Sequence, residues 1–237
     1  MHPSLPHGEI HIWQADLNLQ ADHTDILWPL LSDREKPRAA SFHFEQDRNR
    51  YIIAHGTLRQ LIGRYLNVPA QEVLFNYGDY GKPELDTEHA DGHIYFNMSH
   101  SSGTALYGFA RACPIGVDIE KIKEISEMDN VVDQFFSANE KKIFNKFAPA
   151  KKMRAFYRCW TLKEAFVKAT GQGLNFPLNS LDVSIDPDEA PRLFKVNGDE
   201  KEASQWLIQE LTPGNGMAAA VSARGGPFQV HHAQWTS

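Results

Sequence analysis

The chain has 237 residues, with 24 Lys+Arg against 30 Asp+Glu and a formal net charge of -6. With 42% hydrophobic and 23% charged residues it has the make-up of a globular protein, so collagen-like, coiled-coil and wholly disordered readings are excluded. The acidic balance argues against bulk nucleic-acid binding, which needs many cations to displace counterions, and no apolar run of about 18 or more residues offers a membrane span. Cys113 and Cys159, the only cysteines, are too few for a disulfide scaffold or a four-thiolate zinc site. Residues 1–9 lack a basic cluster followed by an apolar stretch, and the expectation is a cytoplasmic protein.

Residues 9–14 alternate Ile10 and Ile12 with polar neighbours and predict the first strand. The Ser32-to-Glu35 spacing predicts a capping box and a helix start. A long helix fits residues 45–66, with Tyr51, Ile52, Leu58, Leu61, Ile62 and Tyr65 at helical spacing and Val68-Pro69 ending it. Residues 73–75 lead into a glycine-rich turn over 77–83, and strands are predicted at 93–97, 104–110 and 115–120. The midline falls near Pro114. A second capping-box spacing, Ser137 to Glu140, opens a helix over 140–147 that Pro149 breaks. The longest helical segment, 151–170, is closed by Gly171-Gln172-Gly173. Strand-like pieces follow at 181–185, 192–196, 206–210, 217–221 and 228–231. One long helix and several short strands in each half, without a regular βαβ rhythm, predict an α+β fold with two similar subdomains, 1–114 and 115–237.

Asp118 and Glu120 stand at i and i+2 of a strand, so both carboxylates point to one face. Like charges this close are unfavourable unless a cation lies between them, and hard oxygen ligands on a rigid element suit Mg²⁺ with substrate phosphate in its shell. Such a pair also occurs on plain solvated edges. In Trp160-Thr161-Leu162-Lys163-Glu164-Ala165-Phe166-Val167-Lys168, Glu164 and Lys168 are i and i+4 on one helix face. Residues 141–168 hold nine Lys/Arg and one acid, Glu164, which makes it a good third metal ligand and predicts a local positive surface for an anionic small molecule. An ordinary surface ion pair on a solvated basic face is the plainer alternative. Asn97-Met98-Ser99-His100-Ser101 follows an apolar strand as a polar cluster. No nucleophile elbow accompanies the adjacent serine and histidine, so the cluster suits phosphate better than hydrolysis. Lys82, in Gly81-Lys82-Pro83, adds a cation on a turn that a ligand can approach. These features point to Mg²⁺-dependent chemistry on a phosphate-bearing ligand.

Taken in order, the motifs resemble those of the 4′-phosphopantetheinyl transferases of the larger, surfactin-synthetase-activating type. The likeness rests on Gly116-Val117-Asp118-Ile119-Glu120, the 160–168 segment with Gly171-Gln172-Gly173-Leu174 behind it, and residues 97–101. Tyr80-Gly81-Lys82-Pro83, Phe135-Phe136-Ser137, Glu140 and the stretch from Arg38 to Arg59 add support. The resemblance implies two similar α+β subdomains related by a pseudo-two-fold, with the cofactor between them. It implies transfer of the 4′-phosphopantetheine arm from coenzyme A to a serine of apo acyl, peptidyl or polyketide carrier proteins, releasing 3′,5′-ADP, by a monomer. Asp118, Glu120 and Glu164 look like the Mg²⁺ ligands, and Lys168 like the pyrophosphate contact, with Lys163 beside them in the cofactor set. Ser99, His100 and Lys82 look like contacts to the adenine and phosphates, and Arg50 and Arg38 to the 3′-phosphate. Pro37 and Glu35 depart from the family's more continuously basic pattern around Arg38. Glu164, Glu140 or a metal-bound water is left as the base, with Glu164 and Lys168 the catalytic pair. A non-catalytic carrier-binding module and a Mg²⁺-dependent phosphoesterase stand as alternatives.

Overall fold

The computed structural model describes residues 3–78, 80–86, 94–214 and 216–236. His93, expected to open a strand, and Asp79, in the glycine-rich turn, lie outside the described residues. The chain divides into two units, Met1–Ala112 with Val230–Ser237, and Cys113–Gln229.

The first unit begins with β1 (Glu9–Asp16) and α1 (Ala21–Leu27). Next come α2 (Glu35–Ala40), α3 (Glu45–Leu66), the short pair β2 (Phe75–Tyr77) and β3 (Pro83–Leu85), and the hairpin β4 (Ile94–Ser101) and β5 (Thr104–Arg111). The capping box ahead of α2 forms: Glu35 N–H donates to Ser32 Oγ and Ser32 N–H to the Glu35 carboxylate. Helix α3 has the bounds its periodicity predicts. It ends at Asn67, which takes the left-handed conformation (φ 56°) that asparagine tolerates, just before Val68-Pro69. Its buried stripe of Ile52, Ile53, Leu58, Leu61 and Ile62 forms the core with Tyr107 and Phe109 of β5 and Phe96 of β4. Residues 97–101 continue β4 instead of following a strand, and Ser102 and Gly103 turn the hairpin with positive φ at both positions. The sheet order places the C-terminal strand Gln229–Gln234 beside β1, followed by β5 and β4. The expected division at 114/115 therefore fails for the last residues, because Trp235 is buried in the first unit's core, with its backbone N–H on Gln14 O and Arg64 over its ring.

The second unit opens with β6 (Ile115–Lys121) and continues through α4 (Met128–Phe135), α5 (Ala138–Phe144) and α6 (Pro149–Thr170). Helix α4 falls where no element is predicted. Pro149, expected as a breaker, occupies the first turn of α6, where its missing N–H costs no hydrogen bond. Gly171 caps α6 with φ 73°. Then come β7 (Leu181–Val183), β8 (Leu193–Val196), the turn-long α7 (Glu200–Ala203), β9 (Trp206–Leu211) and β10 (Met217–Arg224). Antiparallel β6-β10-β9 form a sheet, and Phe136, Phe144, Phe156, Leu162 and Phe166 build a core around α6. Among the described residues no helix is long and apolar enough to cross a membrane.

Candidate active site

In the second unit the acid pair of β6 faces α6. A Cβ added at Gly116 would lie 2.1 Å from Ala165 O and 2.3 Å from Ala169 N, so glycine allows strand and helix backbones to touch. Asp118 and Glu120 share that face at i+2 and i+4. Asp118 is 3% exposed and accepts a 2.6 Å hydrogen bond from Lys168 Nζ at Oδ1, whereas Glu120 and Glu164 are half-buried. Burial raises the Glu164 carboxyl above its ordinary value, the charge of Asp118 raises it further, Lys168 pulls it down, and Glu120 adds a smaller upward push. The solvated-edge alternative is thereby set aside: three acids and a lysine from one strand and one helix share one electrostatic environment.

Lys163 does not belong to that group. It is 1% exposed, and its ammonium binds Glu140 and the carbonyls of Phe135 and Leu178 inside the second unit's core. Its place in the cofactor set is therefore corrected, because all its donors are consumed by the protein. Glu140 is 0% exposed and closes the capping box with Ser137, so it is no candidate base. Four of the nine cations over 141–168 are paired with acids: Lys151 with Asp186 and Asp188, Arg158 with Glu210, Lys163 with Glu140 and Lys168 with Asp118. Every one of those acids lies outside the stretch.

In the first unit a cavity of about 390 Å³ is lined by Arg34, Arg38, Tyr51, His55, Tyr77, Gly81, Pro83, Asn97 and Met98, among others. It brings together Arg38, the turn that carries Lys82, and the strand that carries Ser99 and His100. Arg34 lies 3.7 Å over the Tyr77 ring, and Tyr51 and His55 stack with centroids 4.0 Å apart. Sequence reasoning passed over these four. Aromatic residues beside arginines would have been the signal, since an Arg–aromatic pair presents both a flat face and a charge. Glu35 also lines the cavity, but inward: Arg59 Nε donates to it at 2.7 Å, with Ser32 and His55 as further partners. Burial pushes the Glu35 carboxyl up, yet these hydrogen bonds and the Arg59 charge together bring it down to about 2. Burial lowers Lys82 to about 8, partly offset by Glu84.

Arg50 is not part of this cavity. Its guanidinium bonds Asn18 Oδ1 at 2.7 Å and 3.0 Å in a separate depression on the same unit. Ser99 is buried and His100 exposed, since neighbours on a strand face opposite sides, and a Ser–His nucleophile pair is geometrically excluded.

Among the described residues no group of three or more His, Cys, Asp or Glu side chains converges closely enough to form a ready-made metal cage. The donor set of Asp118, Glu120 and Glu164 still suits a hard cation, because it is all oxygen and the charges of Asp118 and Glu120 both raise the proton affinity of Glu164. Mg²⁺ needs only one or two carboxylates and takes water and phosphate oxygens for the rest.

Residues 114–222 match the 4′-phosphopantetheinyl transferase superfamily, and residues 19–107 match the family described as 4′-phosphopantetheinyl transferase, N-terminal. The 4′-phosphopantetheinyl transferase HetI of Nostoc sp. is 32% identical over 226 residues, covering 95% of this chain and 92% of that protein. The 4′-phosphopantetheinyl transferase Sfp of Bacillus subtilis is 30% identical over 173 residues, 73% of this chain and 75% of that one. Among solved structures, the holo-acyl-carrier-protein synthase of Thermotoga maritima aligns over 48% of this chain and 64% of its own, with a TM-score of 0.39 and 19% identity.

Proposed function

The chain belongs to the 4′-phosphopantetheinyl transferase superfamily, and on that premise we propose that it moves the 4′-phosphopantetheine arm of coenzyme A onto a serine of apo acyl, peptidyl or polyketide carrier proteins, releasing 3′,5′-ADP. The observation that carries the reading is the grouping of Asp118, Glu120 and Glu164 around Lys168. We assign Asp118, Glu120 and Glu164 to Mg²⁺, which when bound supplies positive charge to the pyrophosphate oxygens. Both free cysteines are buried thiols, which supports a reducing, cytoplasmic setting for a chain that acts as a monomer.

In the transfer, the serine Oγ forms a bond to the phosphorus that carries pantetheine while the bridging P–O bond breaks, its electron pair leaving with 3′,5′-ADP. Lys168 offers a cation to the charge that grows on the leaving oxygens. The serine proton goes to Glu164, directly or through a water held beside it. In the first unit, Tyr77 and Tyr51 offer flat faces for a purine, and Arg34, Arg38 and Lys82 offer charge for a phosphate monoester. Ser99 and His100 remain proposed contacts on the neighbouring strand.

Incubating the protein with coenzyme A, Mg²⁺ and an apo carrier domain tests the proposal. The carrier serine should gain the mass of one phosphopantetheine group. Binding without mass gain would identify a docking module, and coenzyme A breakdown without a carrier would identify a phosphoesterase; either overturns the reading.

A further inference from the structure

Lys163 and Glu140 have no role in the chemistry assigned above, yet their polar atoms are thoroughly satisfied. The three ammonium donors of Lys163 meet Glu140 Oε2 at 2.6 Å, Leu178 O at 2.9 Å and Phe135 O at 3.0 Å. Glu140 in turn accepts from Ser137 N–H at 2.7 Å and Val183 N–H at 2.8 Å, and the buried Cys159 thiol also hydrogen-bonds to it. One node therefore ties the end of α4, the start of α5, the middle of α6, the 3₁₀ turn Leu178–Ser180 and β7. A fully buried ion pair adds little net stability over apolar residues of similar volume, but it specifies one arrangement of the parts it joins. Here that specification falls on α6. Lys163 directly precedes Glu164, and an ammonium held on acceptors from three different segments sets the rotation of the helix about its axis. Phe135 contributes twice: its carbonyl accepts from Lys163, and its ring packs edge-on against Trp160 at 5.6 Å, one turn before Glu164.

We propose that the Glu140–Lys163 pair is a positioning device that sets the rotation of α6 and so aims the Glu164 carboxylate at Asp118 and Glu120. The inference rests on the assignment of Glu164 to Mg²⁺. A single Lys163→Met change would leave the Glu140 charge buried and uncompensated, so the paired variant Glu140→Gln/Lys163→Met is the test. Its thermal midpoint should stay near that of the parent protein. Its affinity for Mg²⁺, titrated calorimetrically without carrier, should fall by about tenfold to a hundredfold, the usual cost of removing a residue that orients a metal ligand. Hydrogen exchange at the amides of residues 160–165 should quicken, which a cavity elsewhere in the core would not produce. Glu164→Gln is measured alongside. Parent-like Mg²⁺ affinity in Glu164→Gln overturns the ligand assignment and the inference with it. Loss there, with parent-like affinity in the folded paired variant, overturns the inference alone. Should the paired variant fail to fold, Glu140→Gln/Lys163→Leu, which likewise removes both charges, is read in its place against the same two outcomes.

Discussion

Lys168 Nζ stands 2.6 Å from Asp118 Oδ1, joining the last turn of a 22-residue helix to the middle of β6 across 50 positions of sequence. The carboxylate is almost wholly buried while the lysine remains part-exposed, so the anion is held in place and its cation can reach outward. Asp118→Asn keeps the shape of this contact and removes the charge. Transfer to an apo carrier should fall by about a hundredfold or more, as when a charge that stabilises a transition state is lost, while the circular dichroism spectrum is unchanged. Near-parent rates would show that Asp118 serves only the fold.

Gly116 brings β6 into contact with α6 at Ala165, Lys168 and Ala169, beside Glu164. Gly116→Ala would press a methyl group onto two backbone atoms that cannot rotate away, forcing the strand off the helix. A loss of roughly 2–3 kcal/mol in urea unfolding is expected, the upper range for overpacking. Activity of the folded fraction should drop as well, because Asp118 shifts with its strand. Unchanged stability would mean that the two backbones are farther apart than described.

The buried Glu35 gives an acid-sensitivity test. Its folded value of about 2 lies below the ordinary 4.5, so its stabilisation is fully present above about pH 4.5 and is lost as pH falls towards 2. The shift corresponds to roughly 3 kcal/mol at neutral pH. Denaturant midpoints measured down that range should fall more steeply for the parent protein than for Glu35→Gln, and parallel curves would contradict the shift.

Lys82 is lowered too, but by burial instead of by hydrogen bonds and a neighbouring charge. Burial brings it to about 8 from 10.5, so the folded protein sheds this proton first, and stability from this group rises with pH between those values. Affinity for coenzyme A should move the other way, the KM climbing as pH passes about 8 and the cation disappears. Lys82→Arg, always charged, should flatten the KM profile. A parent profile already flat through that range would remove Lys82 from the cofactor contacts.

Local signals carried much of this far. The 3.6-residue periodicity gave α3 its bounds, and the Ser137-to-Glu140 spacing marked a real capping box. The Asp118–Glu120 pair on one strand face needed only the two-residue repeat of a strand. What stayed hidden depends on partners distant in sequence. Lys163 reads as a charged residue for a ligand until Glu140, 23 positions earlier, is found against it. Arg50 stands apart from the Arg38 cavity, where two of its guanidinium donors meet Asn18, 32 positions away. No periodic pattern contains such pairings. Arg34 and Tyr77 were missed for the same reason, since their stacking joins an interhelical turn to β2.

The C-terminal strand has a consequence for the order in which the protein is made. The second unit is one unbroken stretch of chain, Cys113–Gln229. The first unit, although synthesised earlier, waits for Trp235 and the strand beside β1. The amino-terminal half therefore completes its sheet only with a segment that follows the whole second unit in the order of synthesis.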